Sequence, residues 1–193
     1  MTHTHTDPAG ARSGWMGNPS EECRVLLADD HPVMLLGLRA LLEWEPGMRV
    51  VGEVGHALEV LPAIRRLDPD LLILDLVMPG LSPWELLDRL QREAPRTEVI
   101  ALVPYSDHGR ALEAMNLGAR ACVLKAAPPV EVLRAVRHVL AGELYLCPEL
   151  QEALLATDPG VMDRAASLIA SLKSGGESDP LRPPTGSDDP AAY

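Results

Sequence analysis

The sequence predicts an α/β fold: a doubly wound (βα)5 parallel sheet of strand order 2-1-3-4-5, with an extra C-terminal helix. Three observations lead there. Short aliphatic runs alternate with stretches of helical periodicity along residues 24–140. The run Leu71-Leu72-Ile73-Leu74 is continuously apolar and is bounded by Asp68-Pro69-Asp70 and Pro79-Gly80, the pattern of a strand covered on both faces. Charged residues stand where strands end, as at Asp75, on the carboxyl edge where open α/β sheets hold ligands. Right-handed crossovers leave few topologies for such a chain, and 2-1-3-4-5 is the natural one.

The elements follow in order. Arg24–Ala28 is the first strand and runs into Asp29-Asp30. Pro32 opens a helix, because a proline in the first turn gives up only an N–H that has no partner there. Leu35, Leu38, Leu41 and Leu42 carry its spacing, and Glu45-Pro46-Gly47 stops it. Arg49–Val54 is the second strand. Leu58, Leu61, Ile64 and Leu67 mark the next helix, with Pro62 tolerable near its start. After the third strand, Ser82-Pro83-Trp84-Glu85 reads as a capping box with proline at the first helical position, and that helix runs to about Glu93. Glu98–Val103 is a fourth buried strand. Ser106 or Asp107 is expected to cap a helix that reaches about Asn116 and closes at Gly118. Ala121–Leu124 is the fifth strand, followed by Lys125, and Pro129–Leu140 is the fifth helix.

The flanks read differently. Residues 1–22 and 175–193 are rich in Gly, Pro, Ser, Thr and Asp and are expected to be disordered tails around a domain spanning 23–142. Residues 143–160 read as a mixed connector. Val161, Met162, Ala165, Leu168, Ile169 and Leu172 then form one apolar stripe, so 143–174 is a connector and an amphipathic linker helix that packs on the domain or on a second copy.

Composition narrows the function. At 193 residues and 47% apolar, the chain can bury the core of one domain. It has no apolar run long enough to span a bilayer and no signal-peptide pattern, so a cytoplasmic protein without membrane contact is expected. Cys23, Cys122 and Cys147 are widely spaced and read as reduced thiols rather than a zinc or disulfide framework. A net charge of −11 argues against nucleic-acid binding by this chain and suits cations or basic partner surfaces.

The predicted topology brings Asp29, Asp30, Asp75 and Lys125 to one sheet edge. Three carboxylates crowd there only with a compensating cation. Hard oxygen donors suit Mg²⁺, and a lysine at the same rim pairs with Asp75 or with a phosphoryl oxygen. Together they form a nucleophile, a metal site and a positive clamp for passing a phosphoryl group to a carboxylate.

Ala-Asp-Asp-His-Pro after strand one, Leu-Asp-Leu-Val-Met-Pro-Gly around Asp75, Val-Leu-Lys at strand five and Gly-Glu-Leu-Tyr-Leu-Cys-Pro-Glu-Leu at 142–150 resemble, in that order, a response-regulator receiver domain of the NarL/FixJ (LuxR-type) class, with a flavodoxin/CheY-like fold. The resemblance implies that Asp75 is the phosphoacceptor. It implies Asp30 as a direct Mg²⁺ ligand, Asp29 as a ligand largely through water, the backbone carbonyl of Val77 as a further ligand, and Lys125 as the conserved-type lysine of the site. His31 is expected to be a partly exposed helix-start residue.

Two positions depart from the family pattern. The family places Thr or Ser at the end of strand four, and here Val103 has no donor; Ser106 would need a rearranged loop to replace it. The family's strand-five aromatic switch is here Cys122, expected as a packed small residue, and Tyr105 is the nearest aromatic. The helix-turn-helix that follows the linker in this class is absent from residues 174–193. The resemblance therefore implies a receiver phosphorylated by a histidine kinase with Mg²⁺, biasing the face formed by its fourth helix, fifth strand and fifth helix. It would act as a homodimer and control transcription through a helix-turn-helix that this chain lacks. The alternative is a phosphorylation-independent receiver serving as a dimerisation or ligand-responsive module. No enzymatic turnover is expected. Haloacid-dehalogenase-type phosphatases carry a second Asp two residues after the nucleophile, where this chain has Val77, so any phosphoaspartate is expected to hydrolyse slowly.

Overall fold

The computed structural model describes residues 22–104 and 109–157. The expected tails, the 161–172 stripe, the Ser106 or Asp107 cap and Tyr105 lie outside the described residues. Twelve elements alternate: β1 (Cys23–Ala28), α1 (Pro32–Glu43), β2 (Met48–Val54), α2 (Ala57–Leu67), β3 (Leu71–Asp75), α3 (Pro83–Glu93), β4 (Glu98–Val103), α4 (Gly109–Asn116), β5 (Ala121–Leu124), α5 (Val130–Leu140), β6 (Tyr145–Leu146) and α6 (Pro148–Thr157).

The strands form one sheet of order β2-β1-β3-β4-β5-β6 in which every neighbouring pair is parallel. The doubly wound order expected from the sequence is therefore present, extended by one edge strand. All five residues of β3 are buried, as a central strand with helices on both faces requires. The register aligns the strand ends: Ala28 lies opposite Leu74 and Val54, Asp75 opposite Leu102, and Val103 opposite Leu124. Residues following β1, β3 and β5 thus emerge on one edge. Helices α2, α3 and α4 pack side by side, while α1 and α5 share a groove lined by Leu38, Leu41, Val132 and Ala127.

Three local expectations need correction. Ser82 is the N-cap of α3 and Pro83 its first residue, but the Ser82 side chain makes no capping hydrogen bond, so the capping box is not formed. Pro62 lies inside α2, where its missing N–H would have met the Leu58 carbonyl. Residues 143–160, read as a connector, contain β6 and α6. A two-residue strand has no periodicity to read, and it exists because the Tyr145 and Cys147 N–H groups bond the Arg120 and Cys122 carbonyls. The Tyr145 hydroxyl donates to buried Glu131 of α5, and its ring stacks on His138 at 4.9 Å. The helix did leave a signal: Pro148 at its first position, with Leu150 and Leu154 four apart and both buried.

Gly80 shapes the loop after β3. Its φ of +109° belongs to the region that favours glycine, and a Cβ there would fall 2.3 Å from His56 Cε1. The sharp turn carries the chain from Asp75 past Val77 into α3.

Candidate functional site

Strand ends build the site. Asp29 follows β1, anchored by its N–H to the Val54 carbonyl at 3.1 Å, and is 1% exposed. Asp30 is next and more open. His31 is the N-cap of α1, held extended at φ −98° and ψ 107° by the proline that follows. Asp75 is the last residue of β3 and is 2% exposed. Lys125 follows β5, its N–H donating to the Val103 carbonyl at 2.9 Å.

Their side chains meet. Lys125 Nζ donates to Asp75 Oδ2 at 2.7 Å and forms an ion pair with Asp29 Oδ2 at 2.8 Å. Asp75 Oδ1 accepts the Val77 N–H at 3.0 Å, which orients the carboxylate. Asp29 Oδ1 accepts the His31 N–H at 2.8 Å. His31 Nδ1 lies 3.0 Å from Asp29 Oδ1, 2.8 Å from Asp30 Oδ1 and 3.4 Å from Lys125 Nζ. Ligand atoms of Asp29, Asp30, His31 and Asp75 all fall within 4.8 Å of one another.

The electrostatics follow from burial. Desolvation pushes the Asp75 carboxyl above its ordinary range, against the pull of Lys125 and the Val77 N–H, and Asp29 adds repulsion. Burial pulls the Lys125 ammonium down, but the carboxylates of Asp29 and Asp75 outweigh it and leave its pKa raised. Asp29 Oδ2 is buried and faces the Lys125 ammonium at 2.8 Å. A pocket with three carboxylates against one ammonium is chemically fitted to a hard divalent cation.

The expected residues Asp29, Asp30, Asp75 and Lys125 are thus brought together. Val77 stands beside them through its N–H. His31 is the partly exposed helix-start residue that was expected, and its ring also borders the pocket, with Nδ1 beside Asp29 and Asp30. Arg110 of α4 was missed. It donates to the Leu76 carbonyl at 3.3 Å, and its guanidinium lies 5.8 Å from the centre of the Trp84 ring, tying α4 to the β3–α3 loop. A lone arginine at a helix start gives no sequence signal for such a reach.

The two departing positions are both wholly buried. Val103 ends β4 as an apolar residue with no donor to offer. The Cys122 thiol donates to the Ala111 carbonyl of α4 at 3.4 Å, so α4 packs directly on the position where the family carries an aromatic ring. Cys122→Tyr is accordingly expected to overpack this contact and destabilise the fold by about 1–3 kcal/mol or more, read as a lower urea midpoint. Burial pushes the Cys122 thiol well up, and burial, then the Asp70 charge, pushes Cys23 up to about 12. Neither is a reactive thiol. Both are expected to resist alkylation in native protein and to react fully in denaturant, as mass spectrometry would record.

A family model described as "Response regulator receiver domain" matches residues 25–137. The chain is 32% identical over 137 residues to the nitrate/nitrite response regulator protein NarL of Escherichia coli (strain K12), covering 71% of this chain and 63% of that protein. It is 31% identical over 149 residues to response regulator GacA of Pseudomonas viridiflava, covering 76% and 70%. The match to NarL therefore spans less than two thirds of that relative's length. Among solved structures, the isolated REC domain of RcsB from Salmonella enterica serovar Typhimurium with phosphomimetic BeF3⁻ superposes with a TM-score of 0.65 at 27% identity, covering 68% of this chain and 98% of that one. The signal receiver domain of the putative response regulator NarL from Mycobacterium tuberculosis gives 0.59 at 27% identity, covering 64% and 99%.

Proposed function

Because the chain belongs to the response regulator receiver domain family, we propose that it is a two-component receiver that takes a phosphoryl group from a histidine kinase onto Asp75 with Mg²⁺. The observation carrying this reading is the meeting of Asp29, Asp30, Asp75 and Lys125 at one sheet edge, with Lys125 within 2.8 Å of two buried carboxylates. A carboxylate oxygen of Asp75 forms the new O–P bond as the N–P bond of the donor phosphohistidine breaks and its electron pair returns to the imidazole. Asp75 enters aligned by the Val77 N–H. Lys125 transfers its hydrogen bond from Asp75 to a phosphoryl oxygen. Asp30 would hold Mg²⁺ directly, Asp29 largely through water, with Asp75 and the Val77 carbonyl completing the set. When bound, Mg²⁺ neutralises the crowded carboxylates and the developing phosphoryl charge.

The output is proposed to be a homodimer that controls transcription through a helix-turn-helix in a longer form, with no DNA contact from this chain itself. No large hydrophobic side chain of α4 or β5 is exposed among the described residues. Along α1 and its C-cap, however, Val33, Leu36 and Trp44 are exposed, with Gly37 and Ala40 between them, and Trp44 is 88% exposed. Two strongly acidic copies meet with least repulsion on such a nearly uncharged stripe. Leu36→Glu with Trp44→Glu is expected to leave the fold intact and lower self-association at least tenfold by sedimentation. An unchanged dimer would move the contact elsewhere.

The second reading, a phosphorylation-independent module, is favoured by Val103 and Cys122, since neither offers the family's donor or switch ring. Incubation with Mg²⁺ and acetyl phosphate or beryllium fluoride separates the two, followed by intact mass and oligomer size. Modification of Asp75 with a change in association supports the switch. An unmodified chain, or modification without any change in association, favours the second reading.

A further inference from the structure

Helices α1 and α5 leave a groove of about 490 Å³ between them, floored by Leu102 of β4 and Leu124 of β5 and walled by Leu41 and Val132. A second hollow, bordered by Gly37, Leu41 and Trp44, continues it. Arg137 of α5 meets Glu45 at 3.0 Å and ties the two walls near Trp44. The rim is open to solvent, with Val33 83% exposed beside the exposed Trp44. Gly37 adds a separate signal. It lies inside α1, where glycine weakens a helix. Its φ is not left-handed, and a Cβ there would meet nothing within 4 Å. Neither the backbone nor packing among the described residues accounts for it. A bare backbone in a groove wall lets another segment approach closely.

We propose that this groove is the intramolecular docking site for residues 161–172 of the same chain, seated as a helix with their apolar stripe against Gly37, Leu41 and Val132. These residues lie outside the described ones, and four observations select them as the occupant. As a helix they gather Val161, Ala165, Leu168, Ile169 and Leu172 within an arc of roughly 120°, with Asp163, Ser167 and Ser171 opposite. A helix this short is marginal in water unless that arc packs on something. It also fits in length: α1 has 12 residues, and two such helices are each about 18 Å long. The tether is short. Helix α6 starts directly after Cys147, whose Sγ accepts the N–H of Leu124 in the groove floor at 3.4 Å. Asp158-Pro159-Gly160 then adds a reach of about 10 Å. A short tether gives an effective concentration on the order of millimolar, which favours this chain's own segment over a second copy's. The charges agree, since Arg164 and Lys173 outnumber Asp163 in a chain of net charge −11. The proposal does not depend on phosphoryl transfer at Asp75.

The test is hydrogen–deuterium exchange of the full chain, read by mass spectrometry over peptides spanning 161–172. Their amides are expected to exchange about tenfold or more slowly than in a variant carrying Leu168→Asp and Ile169→Asp. Gly37→Trp, remote in sequence, fills the groove and is expected to release the same amides. Gly37→Glu, which places a charge there instead of bulk, is expected to do likewise. Because a Cβ at this position meets nothing, both variants should keep the domain fold, which a thermal melt and amide protection in β3 check. Fast exchange of 161–172 in the natural chain, or protection that persists in both Gly37 variants, overturns the proposal. Protection that develops only as the chain self-associates in sedimentation also overturns it and makes a second copy the occupant. An unprotected segment together with extra mass on the natural chain in native mass spectrometry overturns it in favour of a small apolar ligand.

Discussion

Asp75→Asn is expected to take up no phosphoryl group from acetyl phosphate and Mg²⁺, and to be more stable than the natural chain at neutral pH. The first effect follows from chemistry: an amide oxygen is not the nucleophile that a carboxylate is, and among the described residues no other buried carboxylate lies with both the Lys125 ammonium and the Val77 N–H upon it. The second follows from electrostatics. Burial raises the Asp75 carboxyl above its ordinary value, so the folded state disfavours the ionised form. For a carboxyl raised on folding, no penalty exists below the unfolded value near 3.9. The penalty grows as pH climbs from there through the folded value and is complete above it. Asparagine carries no such penalty, so the gain should be absent in acid, develop over that window and persist at neutral pH. Lys125 retains Asp29 as its partner in the variant, at 2.8 Å in the natural chain. Urea midpoints at a series of pH values check the prediction. Added Mg²⁺ should narrow the gap by compensating the natural carboxylate. A variant less stable at pH 7 than at pH 4, relative to the natural chain, would contradict it.

Lys125→Met should have the opposite and larger effect, a loss of about 3–5 kcal/mol at neutral pH without divalent cations. The ammonium is 17% exposed and sits within 2.8 Å of both Asp29 and Asp75, whose side chains are almost wholly buried. Removing it leaves two carboxylates with no cation between them, which costs more than the pair itself contributes. Because its pKa is raised in the fold, the stability that lysine supplies is complete below its ordinary value near 10.4 and disappears only as pH rises through the folded value. The loss in Lys125→Met should therefore hold across neutral pH and shrink in acid, where Asp75 takes up a proton. The double variant with Asp75→Asn should recover part of it. Two contacting groups are expected to deviate from additivity by about 0.5–3 kcal/mol. Additive losses would mean that Lys125 and Asp75 do not depend on each other.

These two results bear on the same question from different sides. The natural chain places charge where the sheet interior disfavours it, and the Lys125 ammonium offsets part of the cost. A cation or phosphoryl group bound as proposed would offset part of that cost, which is the condition for a site that binding can switch. Val103 and Cys122 bear on what happens next. The wall behind the acceptor is packed with apolar atoms, and α4 rests directly on Cys122, which has no aromatic ring to swing in or out.

The sequence by itself determined the alternation, the order of the first five strands and the carboxyl-edge gathering of Asp29, Asp30, Asp75 and Lys125. It could do so because these depend on local period and on chain connectivity: apolar runs such as Leu71–Leu74 can only be central strands, and parallel strands put every strand end on one edge. Only the tertiary structure decided the rest. Strand β6 forms because Arg120 and Cys122 offer carbonyls across space to a segment with no period of its own. The Ser82 cap is unmade although its sequence pattern is present, since a side chain's choice of partner depends on neighbours remote in the chain. Arg110 reaches Leu76 across 34 residues, and the largely exposed imidazole of His31 lies 2.8 Å from Asp30. Each of these is a contact between groups that the chain separates or a rotamer that the local sequence leaves open, and such choices are fixed only when the packed neighbours are in place.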